Sequence, residues 1–265
     1  LLPLRQCLRV GWTEGCAEVS MFADVHHHLL WGVDDGPKTF EETQQMIYEM
    51  VGEGVQYVIA TAHATPGRVR FPAETYFEHL RQAQQWCAAN GLEVMIYPGS
   101  EIFYTSNTAR LLREGQIPTL AQGRWVLVEF SPEAPYERLK EAARTLGMAG
   151  YNVLFAHVER YRCLRNLKRM AELHDNYDVT MQMNASTVLE KKRFWEKGRF
   201  RKIITSGWID MIATDAHNTT TRRCCMAECY EALKQEYGWE TAEELCVGAS
   251  VGSGDGEGAA VASFP

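Results

Sequence analysis

Short apolar runs alternate along this chain with longer polar segments that carry their apolar residues three and four apart. The runs are FADVH (22–26), QYVIAT (56–61), EVMIYP (93–98), WVLVEF (125–130), NVLFA (152–156), VTMQM (179–183) and DMIAT (210–214). Each is rich in Val, Ile, Phe, Tyr or Met and too short for a helix, so each predicts a strand. The intervening FEETQQMIYEMVGEG (40–54), AETYFEHLRQAQQWCAANG (73–91) and YERLKEAARTLGMAGY (136–151) show one apolar stripe and finish near glycine, as amphipathic helices do. Strand then helix, seven times over, predicts β-α units around a parallel sheet that is closed or nearly closed into a barrel.

With 265 residues and 46% apolar content, the chain can bury the core of one domain, assigned here to residues 21–246. Residues 1–20 show no period and precede Met21, so they read as an N-terminal extension, with a start at Met21 an open alternative. Residues 247–265, VGASVGSGDGEGAAVASFP, have no apolar stripe and are expected to be a disordered Gly/Ser/Ala-rich tail. The balance of 27 basic against 34 acidic residues, net −7, argues against a nucleic-acid-wrapping basic face. No run is long enough to span a membrane and the start lacks a secretory layout, so a cytoplasmic protein without membrane insertion is expected. The eight cysteines contain no CxxC pair and read as reduced thiols. CLRNLKR (163–169) does satisfy the C-x5-R spacing of cysteine-dependent phosphatases. That chemistry needs a loop of small residues whose amides ring the phosphate, whereas Leu-Arg-Asn-Leu-Lys reads as helix.

The candidate chemistry sits at the strand ends. His26 and His28 close the first run, His63 follows the second, Glu101 the third, and Glu129 lies in the fourth. His157 follows the fifth, Asn184 the sixth, and Asp215 and His217 the seventh. In a barrel the C-terminal strand ends share one face, so these residues should converge. Taken singly, a histidine there is ordinarily a core or loop residue, and Glu129 could pair with an arginine. Taken together, the carboxylates are too costly to bury without cations, which divalent metals would supply. In extended backbone His26 and His28 share one side and His27 takes the other, which makes His27 the bystander. Asp34 and Asp35 follow in VDDG, which can fold back over the cavity and lend a carboxylate, Gly36 permitting the turn. Mixed imidazole and carboxylate donors suit Mn, Fe or Zn better than Ca or Mg.

DVHHHLLWGVDDGPKT, ATAHATPG, PGSEIFYT, LVEFS, FAHVERY, QMNAST and ATDAHN, in that order over about residues 21–240, resemble the motifs of the polymerase and histidinol phosphatase (PHP) family. They are most similar to its bacterial manganese-dependent tyrosine-protein phosphatase branch, which serves capsule and exopolysaccharide biosynthesis. The resemblance implies an α/β fold, a distorted (β/α)7 TIM-like barrel of the PHP type, holding three divalent metals, usually Mn²⁺. It implies that His26, His28, Glu101 and Asp215 hold the first metal and that Glu101 bridges to a second, completed by Glu129 and His157. Asp35, His63 and His217 would hold the third. Arg160 would bind phosphate, with Arg222, or its neighbour Arg223, as a second arginine. The implied substrate is phosphotyrosine in the tail of a bacterial tyrosine kinase; the sequence says nothing of oligomeric state.

Under that reading hydroxide attacks phosphorus directly with no covalent enzyme intermediate. A tyrosyl leaving group, with a pKa of about 10, departs without a strong general acid. Asp34 is the candidate proton donor, and a plain turn carboxylate is its alternative role. Tyr161 and Tyr104 either face a substrate ring or simply pack. A small-molecule phosphatase such as one for histidinol phosphate would use the same metals with a different pocket. A nuclease-like or noncatalytic domain tied to a polymerase would need basic flanks that this chain does not show.

Overall fold

Seven parallel strands follow one another in chain order around a nearly closed barrel. They are β1 (Phe22–His27), β2 (Val55–Ala64), β3 (Met95–Phe103), β4 (Trp125–Glu129), β5 (Asn152–Phe155), β6 (Val179–Asn184) and β7 (Met211–Ala213). The structure is a computed structural model that describes residues 22–191 and 194–247. The expected extension at 1–20 and all but the first residue of the expected tail at 247–265 lie outside the described residues. The seam between β1 and the chain leaving β7 is an isolated bridge, His27 to Ala216. Asp215 N donates to His26 O (2.8 Å) and His28 N to Ala216 O (2.9 Å) across it.

Helices α1 (Phe40–Gly52), α2 (Ala73–Ala89) and α4 (Tyr136–Met148) form where the apolar stripe predicts them, α3 being Thr108–Arg113. In α1 Thr39 caps the N-terminus through Glu42 N, Glu41 and Glu42 meet the positive end of the helix dipole, and Thr43, Met46, Ile47 and Met50 form the buried stripe. The remaining helices are α5 (Leu167–Tyr177), α6 (Ala185–Leu189), α7 (Phe194–Thr205), α8 (Met226–Tyr237) and α9 (Trp239–Cys246).

Three expectations need correction. The regular alternation weakens between β3 and β4, where the chain forms the six-residue α3 and a 3-10 turn at Leu120–Gln122. β2 and β3 run further than their apolar cores, so His63 and Glu101 lie inside strands, paired in register with each other, rather than after them. The parallel ladder with β2 continues through Pro98-Gly99, past the end of the predicted run at residue 98. A Cβ at Gly99 would stand 2.5 Å from Ile59 Cγ2 and 3.0 Å from Leu120 Cδ2, so glycine is there for room. Finally, Cys163 stands in a 3-10 turn, Arg162–Arg165, and α5 begins only after the Asn166 cap.

The core has two parts. The larger lies between strands and helices. The smaller fills the barrel with Val25, Ile59, Leu127, Leu154 and Met211 and is plugged by Leu120, with Tyr97 and Trp125 packed against it. One strand therefore has to send Val25 into this plug and also His26 and His28 into a polar layer, which strict alternation forbids. β1 solves this with a register shift against β2 between Asp24 and His27, an irregularity of the bulge kind that re-aims side chains. The buried Asp24 carboxylate services the irregularity: Oδ1 accepts from Thr214 N (3.0 Å) and His26 N (3.3 Å), and Oδ2 from Thr214 Oγ1. Replacing Asp24 by Ala leaves these donors buried and unpaired, and should lower unfolding stability by about 3 kcal/mol in a urea titration. Unchanged stability would remove Asp24 from this role.

Candidate metal centre

At the C-terminal mouth of the barrel, three groups of donor atoms gather, each group with its atoms within 4.8 Å of one another. The deepest contains His26, His28, Glu101 and Asp215, all buried. His26 Nε2 lies 3.2 Å from His28 Nε2, 3.3 Å from Glu101 Oε2 and 3.3 Å from Asp215 Oδ1. The second contains His28, Asp35, His63 and His217, with Asp35 Oδ1 3.3 Å from His63 Nε2 and 3.2 Å from His217 Nε2. The third contains His63, Glu101 and Glu129, with His63 Nδ1 3.0 Å from Glu101 Oε2 and 3.4 Å from Glu129 Oε1. His157 Nε2 reaches Glu101 Oε1 at 2.8 Å and Glu129 Oε2 at 3.9 Å.

The structure brings every candidate ligand named from the sequence to one mouth, with three differences of grouping, the first being that His157 touches Glu101 and Glu129 but joins none of the three groups. His63 turns one ring nitrogen toward the Glu101–Glu129 pair, and His28 sits within reach of two groups. His28, His63 and Glu101 each belong to two groups, so the three form a linked chain. His27 joins none of them: both ring nitrogens are buried without a hydrogen-bond partner, and burial lowers its pKa to about 3, leaving a neutral ring.

Burial opposes charge throughout this cluster, yet opposite neighbours prevail over it. Glu101 and Asp215 stay below the usual carboxylate range because His26 and the other imidazoles face them. His26 and His28 are held above the imidazole range by those same carboxylates, and His63 is raised to about 10 chiefly by Glu101 and Glu129. His217, in contrast, is lowered to about 4 by burial and by the His28 ring stacked on it at 3.7 Å. The carboxylates demand buried positive charge. Divalent cations would supply it while leaving the imidazoles neutral, as ligation requires. The buried His217 Nε2 has no hydrogen-bond partner although it lies 3.2 Å from Asp35 Oδ1, an arrangement suited to a shared ion. Donor separations of about 3 to 3.5 Å are what ligand distances of about 2.1 Å produce. The residues therefore fit metal.

A ring of further contacts fixes the imidazoles. Asp34 Oδ2 accepts from His28 Nδ1 (2.8 Å) and His63 N (3.1 Å), while Oδ1 takes Gly36 N (2.9 Å). Burial would raise the Asp34 carboxyl, but the His28 ring and these amides outweigh it and lower it to about 2. Engaged on both oxygens, Asp34 is placed to orient His28, which supports its alternative role as a turn carboxylate. Gly36 serves by close approach rather than by an unusual backbone angle, since a Cβ there would meet His28 O at 2.7 Å. Gln182, given no role from sequence, accepts from His157 N (2.8 Å), meets His26 Nδ1 (3.2 Å) and donates to Asn184 Oδ1 (2.8 Å). Asn184 in turn donates to Asp215 Oδ2 (2.9 Å). Tyr161 and Tyr104 are buried, so the packing reading holds, and Tyr161 OH stands 3.5 Å from His157 Nδ1. His157 and Asp215 both adopt left-handed backbone (φ 33° and 54°), strain of about 1–3 kcal/mol each that is common at functional positions.

Two half-exposed arginines overhang the cluster. Arg160 Nη2 donates to Asp215 Oδ2 (2.8 Å) and Arg222 Nη2 to Asp215 Oδ1 (2.9 Å), beside a cleft of ≈290 Å³. Arg223 instead binds Glu228 (2.6 Å), so Arg222 is the arginine that reaches the centre. Cys163 offers nothing comparable: burial raises its thiol pKa, and Arg169 binds its carbonyl (3.5 Å).

The family model for capsular polysaccharide synthesis, CpsB/CapC, matches residues 22–251. The chain belongs to that family. Among CpsB/CapC relatives, the tyrosine-protein phosphatase CpsB of Streptococcus pneumoniae is 33% identical over 230 residues, covering 84% of this chain and 94% of that protein. CpsB of Streptococcus agalactiae is 31% identical over 229 residues, with the same coverage. A chain from the crystal structures of YwqE of Bacillus subtilis and CpsB of Streptococcus pneumoniae, described as metal-dependent tyrosine phosphatases, superposes with a TM-score of 0.75 at 24% identity. That match covers 83% of this chain and 89% of the other and establishes the common barrel.

Replacing Gln182 by Leu preserves volume but removes the His26 and His157 contacts. Metal affinity measured by calorimetric titration should fall about 10- to 100-fold. Unaltered affinity would show that Gln182 does not orient these ligands.

Proposed function

We propose that this chain is a metal-dependent protein-tyrosine phosphatase, a phosphoric monoester hydrolase acting on the phosphotyrosine tail of a bacterial tyrosine kinase in capsule or exopolysaccharide synthesis. Manganese is the proposed ion, held by His26, His28, Asp35, His63, Glu101, Glu129, His157, Asp215 and His217. The observation that carries the reading is the linked set of three donor groups lying beneath two guanidinium groups. The tyrosine-protein phosphatase relatives support it. Free cysteines at 87, 163, 224, 225 and 246 fit a reducing, cytoplasmic setting, and no described helix is long and apolar enough to cross a membrane.

Divalent metals at these donors would polarise a phosphoryl oxygen and bring water within reach of ionisation near neutral pH. The protein supplies the rest. Arg160 and Arg222 each present a planar fork at the open side of Asp215, placed to exchange that carboxylate for the equatorial oxygens of a phosphoryl group. Asp34 and Gln182 hold His28 and His26 in position before substrate arrives. With Asp34 ionised, the phenolate leaves without a carboxylic acid to protonate it, which its pKa of about 10 allows. No cysteine takes part.

The manganese-loaded chain should release phosphate from a phosphotyrosine peptide and lose that activity on exhaustive chelation. Histidinol phosphate should be the poorer substrate; strong preference for it would transfer the reading to a small-molecule phosphatase. Arg160→Ala should lower kcat by about 100-fold or more, whereas Cys163→Ser should retain it. Loss of activity in the Cys163 variant alone would contradict the metal mechanism.

A further inference from the structure

Two clefts of ≈600 and ≈510 Å³ adjoin each other and share Pro66, Gly67 and Arg68. Both are lined by residues just C-terminal to candidate ligands, while no candidate ligand itself lines either. Thr65 follows His63 by two residues, Phe103 follows Glu101 by two on β3, and Phe130 comes directly after Glu129. Of these neighbouring candidate ligands, the His63 side chain is 36% exposed while Glu101 is 1% exposed.

Their chemistry differs from the rest of the molecule. The floor is apolar, with Phe71 and Ile117 in one cleft and Phe103 and Phe130 in the other. The charged lining residues are arginines, Arg68, Arg70, Arg110 and Arg138, and no Asp or Glu lines either cleft, in a chain of net charge −7. Two of these arginines are already engaged: Arg110 pairs with Glu114 (2.9 Å) and Arg138 with Glu141 (3.0 Å). Arg68 and Arg70 have no carboxylate partner among the described residues. Arg68 lies over the Phe103 ring at 5.9 Å, and between the two stands Val69, 69% exposed. An exposed Arg-Val-Arg on the loop leaving β2 is an electropositive rim whose guanidinium groups meet no carboxylate among the described residues.

We infer that these clefts hold the polypeptide flanking the phosphotyrosine, and that Arg68 and Arg70 select substrates with acidic side chains next to the target tyrosine. This rests on the phosphatase reading and narrows it to a substrate class. Apolar floor and unpaired guanidinium groups fit an extended acidic peptide: backbone and aliphatic parts lie on the aromatic residues while carboxylates meet the arginines. Such contacts are made equally in the ground and transition states, so they act on KM and leave kcat alone. Because the arginines are exposed, the effect weakens with salt.

The test compares kcat/KM of the full manganese-loaded chain on two phosphotyrosine peptides, one with Glu and one with Gln on both sides of the phosphotyrosine. At low salt the Glu peptide should be favoured about fivefold, through KM. The ratio should fall toward one in 0.5 M NaCl (a chosen condition of roughly 4 Å Debye length) and in the Arg68→Gln/Arg70→Gln double variant. The Gln peptide acts as the reference within each protein, so a folding defect lowers both rates and does not imitate loss of selectivity. Equal rates on the two peptides in the parent chain, or a preference that survives the double variant, would overturn the inference. No hydrolysis of either peptide would instead sink the phosphatase reading, and this inference with it.

Discussion

Everything at the mouth of this barrel is organised around the buried negative charge of Glu101. Its Oε2 faces His26 and His28 at 3.3 Å and His63 at 3.0 Å, and its Oε1 meets His157 at 2.8 Å. Taking a carboxylate out of water costs several kcal/mol unless well-placed positive charge and hydrogen bonds return. Here the four imidazoles come from β1, β2 and the turn after β5, segments that meet only when the sheet curls into a barrel. The closure seam and the ligand set are therefore one problem. His26 O and Asp215 N bond across the seam, and the His26 ring and the Asp215 carboxylate lie in the same donor group.

That constraint accounts for irregularities elsewhere. β1 must abandon strict alternation between the apolar plug and the histidines, and Asp24 holds the resulting irregularity to Thr214. His157 and Asp215 accept left-handed backbone to bring ring and carboxylate inward, and Gln182 and His26 hold their amides. Below the cluster Leu120 and its neighbours seal the barrel. Above it Asp35, His63, Arg160 and Arg222 stay accessible, so chemistry has one direction of approach.

The strands and the convergence of imidazoles and acids at one mouth were legible because both rest on local rules. Apolar runs mark strands, and imidazoles and acids at repeated strand ends mark a shared face. Strand ends were less legible, since it is pairing with β2 that carries β3 past its apolar run, through Pro98-Gly99 and on to Ile102. The supporting contacts were largely invisible. Gln182 looks like any polar residue in a strand, and Asp24 acquires its task from Thr214, 190 residues away. Asp34 was noticed with two possible tasks, and the choice between them turns on its bond to His28, which depends on how the VDDG loop folds back. The choice between Arg222 and Arg223 needed coordinates for the same reason: Glu228 and Glu53 draw Arg223 away.

Anomalous diffraction from crystals grown with Mn²⁺ puts the central claim to its most direct trial. The account predicts three manganese peaks: one among His26, His28, Glu101 and Asp215, one where Asp35, His63 and His217 meet, and one beside Glu129 and His157 bridged by Glu101. Manganese bound elsewhere, with His28, Glu101 and Asp215 merely hydrogen-bonded to one another in its presence, would contradict it.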